Sequence, residues 1–78
     1  MDLTVCANRI YNGSSIVDVF YITSGGTQKK MRVVLPEFVE LESKGFTSPE
    51  KSSIFIALCK QKDALLQKPE GTTLHITI

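Results

Sequence analysis

The chain lacks most of the features that identify an enzyme or a nucleic-acid-binding protein from sequence alone. It contains no tryptophan, one histidine and two cysteines, and nine basic residues stand against eight acidic ones. A net charge of +1 gives no overall electrostatic footprint for nucleic acid or for an anionic membrane. The cysteines and the histidine have no recognisable zinc-ligand spacing. We therefore expect neither a metal nor a cofactor.

Long hydrophobic runs are also absent. No apolar segment approaches the roughly 20 residues that span a bilayer, and the first residues lack the basic start and apolar block of a secretory signal. These absences predict a cytoplasmic protein in which Cys6 and Cys59 are reduced thiols, with a single bridge between them as the alternative. The length predicts one domain over residues 1–78. A domain of this size buries only about 60% of the surface of its unfolded chain.

The most informative segment that is present runs from Ile16 to Ile22 and is apolar on both faces of a predicted strand. Alternation places two sets of side chains on opposite faces: Ile16, Asp18, Phe20 and Ile22 on one, and Val17, Val19 and Tyr21 on the other. Each set of side chains must be buried against other residues, and a chain of this length has few residues with which to bury both sets. This composition predicts a strand at the middle of the predicted meander, buried above and below.

Strand-like alternation and turn signals predict an antiparallel three-stranded meander in the first half of the chain. The first strand covers about residues 2–8, the second about 15–23 and the third 28–35. Between the first two, Asn12 and Gly13 form the strongest local hairpin signal, because both residues tolerate positive φ.

A short helix of about two turns is predicted after the meander. Pro36 ends the third strand and suits a first helical turn. Phe38 and Leu41 would share one side of this helix, and Gly45 with Phe46 would form its C-terminal cap.

A long helix is predicted from Pro49 to Gln67. Thr47 and Glu50 have the spacing of a capping box at its start. Most apolar residues of the segment share one face, but Lys62 falls within that face and Ile56 falls on the opposite side.

A fourth strand is predicted at the end of the chain, after a turn at Glu70 and Gly71. Its apolar residues Leu74, Ile76 and Ile78 alternate with polar ones. A right-handed crossover would place this strand parallel to the first or third, and pairing with the first is favoured. The predicted fold class is thus α+β, with the order βββααβ and a four-stranded mixed sheet of order 4-1-2-3.

Lys29, Lys30 and Arg32 form a basic group at the start of the third strand. A basic hairpin can contact a phosphate backbone, which makes nucleic-acid binding one hypothesis. Lysines on an edge strand also prevent pairing with other chains, and this structural interpretation is favoured.

Catalytic patterns are not evident. His75 has no spacing relationship with either cysteine that would indicate an activated thiol, and the glycine pair at 25–26 links two strands instead of opening a helix as a phosphate loop does. We therefore predict that the protein is not an enzyme and has no catalytic residues.

Apolar side chains that a single helix on one face of the sheet cannot cover predict a partner-binding surface formed by Val17, Val19, Tyr21 and Ile56. If the long helix covers the three β-strand residues, the opposite face of the strand is left for this role. Alternatively, the short helix, Phe46 and Ile10 cover that second face and nothing is left exposed.

These patterns together predict a small non-enzymatic protein-binding module that acts as a regulator, inhibitor or adaptor and self-associates as a homodimer. Virus-encoded inhibitors of host machinery offer an analogy. The expected partner is another protein, with nucleic acid the first alternative and a role as a structural subunit of a larger assembly the second. No membrane partner is expected.

Overall fold

The computed structural model describes residues 1–35, 37–69 and 71–78, including all of their side chains except those of Asn8, Arg9 and Tyr11. The architecture is α+β. Within these residues, five strands and two helices follow one another: β1 (Asp2–Tyr11), β2 (Ser14–Ile22), β3 (Gln28–Leu35), β4 (Val39–Lys44), α1 (Ser48–Lys60), α2 (Lys62–Gln67) and β5 (Thr72–Thr77).

The strands form one sheet of order β4-β3-β2-β1-β5, in which every neighbouring pair is antiparallel. The two-faced strand β2 is therefore central, with two strands on each side. The sheet has two edges, β4 and β5. The second half of the chain, including both helices, carries the polypeptide from one edge to the other.

The hairpin between β1 and β2 is confirmed. Asn12 and Gly13 form its two-residue loop and have φ values of 50° and 79°. Positive φ at both central residues is the geometry whose twist matches that of the flanking strands. This turn places Tyr11 opposite Ser14, and an irregularity between Cys6 and Arg9 then shifts the register by one residue, so that Val5 lies opposite Val19.

The predicted fold is wrong in the segment that follows β3. The residues expected to form a short helix form β4, which pairs antiparallel with β3. Phe38 has a φ of 59°, a left-handed conformation that reverses the chain and stops a right-handed helix from propagating. Beyond it, Val39 and Leu41 alternate with Glu40 and Glu42, which is the period of a strand.

The added strand also explains why the predicted mixed sheet of order 4-1-2-3 is wrong. The last strand pairs with β1, but it is antiparallel to it. Because β4 runs opposite to β3, a crossover that starts from β4 delivers β5 in the direction of β4, which is antiparallel to β1. Over the described residues, the sheet consequently has five strands, and no two neighbouring strands are parallel.

The predicted long helix is two helices. Gln61 separates them with φ and ψ of −112° and 15°, outside the helical region. Leu58 before the break and Leu65 after it are both buried, whereas the residues between 60 and 63 are all polar. A buried leucine therefore anchors each helix to the core, whereas the polar segment between the helices has no such anchor. The roles predicted for Pro36 and Glu70 lie outside the described residues.

The core lies between the sheet and the helices. Both helices pack on one face of the sheet, which we call the helix side; the other is the open face. Buried side chains of the helix-side core come from all three central strands, both helices, β5 and the loop before α1: Leu3, Val5, Ala7, Val17, Val19, Met31, Val33, Leu35, Phe46, Ile54, Leu58, Leu65 and Ile76.

The predicted capping box at the start of α1 is confirmed. The backbone N–H of Thr47 donates to Glu50 Oε1 at 2.8 Å, and the N–H of Glu50 donates to Thr47 Oγ1 at 3.4 Å. Lys29 Nζ donates to both carboxylate oxygens, at 3.2 and 3.1 Å, and thereby joins β3 to the helix. The Thr47 hydrogen bond and then that of Lys29 hold the pKa of Glu50 below its ordinary value of 4.5.

Glu50→Gln should reduce thermal stability in a pH-dependent way. Since folding lowers this pKa, the carboxylate stabilises the fold above pH 4.5, and the contribution is lost as the pH falls through the folded-state value. Thermal unfolding should show a lower Tm for the variant at pH 7 and a Tm difference that shrinks as the pH falls below 4.5. A Tm difference that stays constant over this range would contradict the assignment.

Gly45→Ala should destabilise the fold by about 1–2 kcal/mol, because Gly45 has a φ of 90°, where a side chain is strained. An added Cβ would also lie 3.0 Å from Lys29 Cγ. Gly25→Ala is the matched control, since φ is not positive there and the nearest atom lies 3.8 Å away. Chemical denaturation of both variants measures the difference, and equal effects would rule out the backbone explanation.

Candidate partner-binding surfaces

The structure separates the residues predicted to bind a partner. Val17 and Val19 point to the helix side and are fully buried, and Tyr21 is half-buried against the same core. Ile56 lies on α1 with 58% of its surface exposed. Of the four, Ile56 alone presents a largely exposed apolar side chain.

The open face of the sheet carries the other half of β2. Ile22 is 66% exposed at the end of the strand, Phe20 is half-buried, and Ile16 and Asp18 are buried. The segment predicted to cover this face extends the sheet as β4 instead, and Phe46 joins the core on the helix side. No described helix packs on the open face.

A buried ion pair lies at the centre of the open face. Arg32 Nε donates to Asp18 Oδ1 at 2.7 Å from the directly opposite position on β3. The Asp18 side chain is 1% exposed, whereas that of Arg32 is 33% exposed. A buried carboxylate is tolerated only when it is paired and hydrogen-bonded. Arg32 therefore has a structural role beneath this surface.

The three basic residues of the nucleic-acid hypothesis each have a carboxylate partner. Lys29 bonds to Glu50 on the helix side, whereas Lys30 and Arg32 lie on the open face. Lys30 Nζ is 3.9 Å from a Glu42 oxygen. The three cations thus point to two faces of the sheet, and neighbouring acids offset their charge.

Arg32→Leu should lower the free energy of unfolding by about 1–3 kcal/mol, because it removes a charged hydrogen-bond donor from a buried carboxylate. Lys30→Leu is the matched control on the same face of the same strand, and its long, partly exposed ion pair with Glu42 should contribute less than about 1 kcal/mol. Urea denaturation compares them. Equal losses in the free energy of unfolding would show that the Arg32–Asp18 contact contributes no more than the Lys30–Glu42 contact.

The two edges of the sheet differ in charge. The β4 edge carries Glu40, Glu42 and Lys44 and has an irregular register between Arg32 and Val33 of its partner strand. Charges and bulges of this kind prevent a sheet edge from pairing with another chain. The β5 edge, with the sequence TTLHIT, contains no Lys, Arg, Asp or Glu. One edge is therefore guarded and the other is not.

An apolar groove of about 330 Å³ runs between α1 and the unguarded edge. Ile56 and Ala57 form its helical wall, and Ile76 and Ile78 form its strand wall. Lys60 lies at its rim and has no ion pair with any described residue. We call this feature the α1–β5 groove; its full lining is Ser53, Ile56, Ala57, Lys60, Gln61, Ile76, Thr77 and Ile78.

A second depression, of about 400 Å³, lies at the end of the open face beside Ile22. It is formed within the sheet and does not reach an unguarded edge. Its lining mixes charged, polar and aromatic residues: Asp2, Thr4, Phe20, Tyr21, Ile22 and Gln28.

The two thiols lie on opposite sides of the sheet, and His75 shares the open face with Cys6 on the neighbouring strand. Cys6 is on the open face with its Sγ 4.0 Å from Thr73 Oγ1, and Cys59 is exposed on α1 on the other side of the sheet. Both are free thiols, and neither is hydrogen-bonded to the exposed His75. Within the described ranges, no three His, Cys, Asp or Glu residues are grouped to hold a metal ion.

Sequence reasoning identified Ile56 but missed the rest of the α1–β5 groove. The available signal was the composition of β5, whose polar side is formed by threonines and one histidine instead of the charges usual on an edge. The predicted order 4-1-2-3 placed the last strand at an edge beside the first, but the alternating pattern did not indicate that α1 would lie next to that edge.

No protein-family model, no curated protein and no solved structure matches this chain. None of the described helices has the length and apolar character needed to cross a bilayer.

Proposed function

We propose that the protein is a small non-enzymatic binding module that recognises another protein through the α1–β5 groove, acting as a regulator, inhibitor or adaptor. The observation that carries this proposal is the combination of an uncharged, unpaired edge strand with an exposed apolar wall beside it. Either feature alone occurs on many domains, but together they offer a partner both apolar contact and backbone hydrogen bonds.

The chemistry of the groove suits contact with a polypeptide. Its described lining consists of apolar, hydroxyl and amide groups with one lysine, and it contains no carboxylate, imidazole or thiol side chain. Ile56 is largely exposed in the free protein, so covering it would add favourable burial of apolar surface. The contact that the groove supports is therefore recognition by shape and hydrophobicity.

Contrast with the opposite edge supports the same proposal. Val39 and Leu41 on β4 are as exposed as Ile56, at 52% and 54%, but acidic residues alternate with them. A partner strand at that edge would have to accommodate those charges. The chain thus carries protection against pairing at one edge and none at the other.

Ile56→Asp should abolish capture of the partner, because it introduces a charge into the apolar wall. Leu41→Asp is the matched control, because it introduces the same charged side chain at a similarly exposed position on the guarded β4 edge. Tagged wild-type and variant proteins would be purified from the native cell, and bound proteins and nucleic acids identified. We expect the same protein to bind the wild type and Leu41→Asp and to be absent from Ile56→Asp.

Three results would contradict this proposal. Capture of the same partner by Ile56→Asp would show that the groove is not the binding surface. Recovery of nucleic acid with a steep salt dependence, lost in Lys30→Gln, would favour the nucleic-acid hypothesis. Sedimentation of the wild type as a dimer that Ile56→Asp converts to a monomer would identify a second copy of the chain as the occupant.

A further inference from the structure

The backbone of β5 has a defined direction of hydrogen bonding. The N–H of Ile78 donates to the carbonyl of Met1 on the β1 side at 2.9 Å. Hydrogen-bonding direction alternates along an antiparallel strand, and Leu3 lies opposite Ile76 in the same register. Thr73, His75 and Thr77 therefore direct their N–H and C=O groups away from β1, toward the unpaired edge.

Side chains of β5 alternate in the same way. Ile76 and Ile78 lie on the helix side, where they face Ile56 and Ala57 across the groove. A strand added beside β5 would continue this alternation, because neighbouring strands keep their pleats in phase. Every second side chain of an added strand would then enter the α1–β5 groove.

Lys60 is the one charged side chain among the described residues that line the groove. Lys60 has no carboxylate partner among the described residues, in contrast to Lys29, Lys30 and Lys51, which pair with acids on neighbouring elements. The strand side of the groove offers no acidic residue. A ligand that supplies a carboxylate near Lys60 would complement this site.

We infer that the occupant of the groove is an extended segment of the partner protein, which adds to β5 as a sixth strand, inserts apolar side chains between Ile56 and Ile76, and places an acidic residue near Lys60. This inference rests on the proposed function and specifies the class of ligand. Three outward-facing residues spaced by two positions correspond to a segment of about five or six residues.

Two other occupants fit less well. A helical ligand could fill the groove but would leave the outward-facing groups of β5 unpaired. A second copy of this chain, joined edge to edge through β5, would present threonines and His75 but no carboxylate in that strand for Lys60. An extended segment with an acidic residue would contact the apolar wall, pair with the free edge of β5 and place a carboxylate near Lys60.

The test uses a phage-displayed library of random linear 12-residue peptides, selected on the immobilised full chain. We expect enrichment of sequences in which apolar residues alternate and an Asp or Glu is present. The best-enriched peptide would then be synthesised and titrated against the wild type and variants by calorimetry.

His75→Pro should weaken this peptide at least about tenfold, because it removes an outward-facing N–H while leaving every bond to β1 in place. His75→Ala keeps that N–H and should change the affinity by less than about threefold. Ile56→Asp and Lys60→Glu should weaken binding by about tenfold or more, and Leu41→Asp and Lys44→Glu should not.

Folding of His75→Pro would be checked by circular dichroism, with Thr73→Pro as the substitute at an equivalent position. NMR of the wild type adds a readout that needs neither variant. The amide resonances of Thr73, His75 and Thr77 should shift on peptide addition and gain protection from hydrogen exchange.

The outcomes separate this inference from the proposed function. Absence of any enriched peptide, or an affinity that does not respond to His75→Pro while Ile56→Asp still abolishes partner capture, would overturn the extended-segment inference alone. Enrichment of basic peptides would also overturn it. If Ile56→Asp alters neither capture nor peptide binding, the inference and the proposed function both fail.

Discussion

The reversal of the chain between β3 and β4 is the constraint on which the rest of the architecture depends. The left-handed conformation of Phe38 turns the polypeptide back along β3, so that β4 ends with the chain running opposite to β3. The helical crossover that follows therefore delivers β5 antiparallel to β1. An edge strand of that direction, beside α1, creates the groove. A helix after β3 would have given a last strand parallel to β1 and would have left β3 as the opposite edge of the sheet.

The features that could be predicted were those encoded by local or strictly periodic signals. Asn12 and Gly13 need no tertiary context to form a hairpin loop, and Thr47 with Glu50 satisfies the first backbone donors of α1 within one turn. The apolar content of both faces of β2 correctly placed it between β1 and β3. In each case, the residues of the segment itself are sufficient to explain the structure that it adopts.

The features that could not be predicted depend on competition between weak signals. Residues 36–46 contain a proline, several glutamates and a glycine followed by phenylalanine, all of which suit a short helix, but Val39 and Leu41 also alternate with acids over six residues. Pairing with β3 decides between the two, and that contact is absent from any local window. Alternation likewise shows that Val17 and Val19 share a face, but it does not show which face the helices cover.

The open face shows how a small sheet can leave one side without a helix. Its centre is not an apolar layer but a paired charge, since Asp18 is buried beside Arg32 while the arginine remains partly in contact with water. This ion pair avoids a large exposed apolar patch on the face where no described helix packs. At the β5 edge the chain has no comparable device: Ile56 is exposed, Lys60 is unpaired among the described residues, and the strand carries no charge. Because an edge of this kind promotes nonspecific pairing between chains, its contrast with the guarded β4 edge on the opposite side of the sheet supports the proposal that a partner strand occupies it.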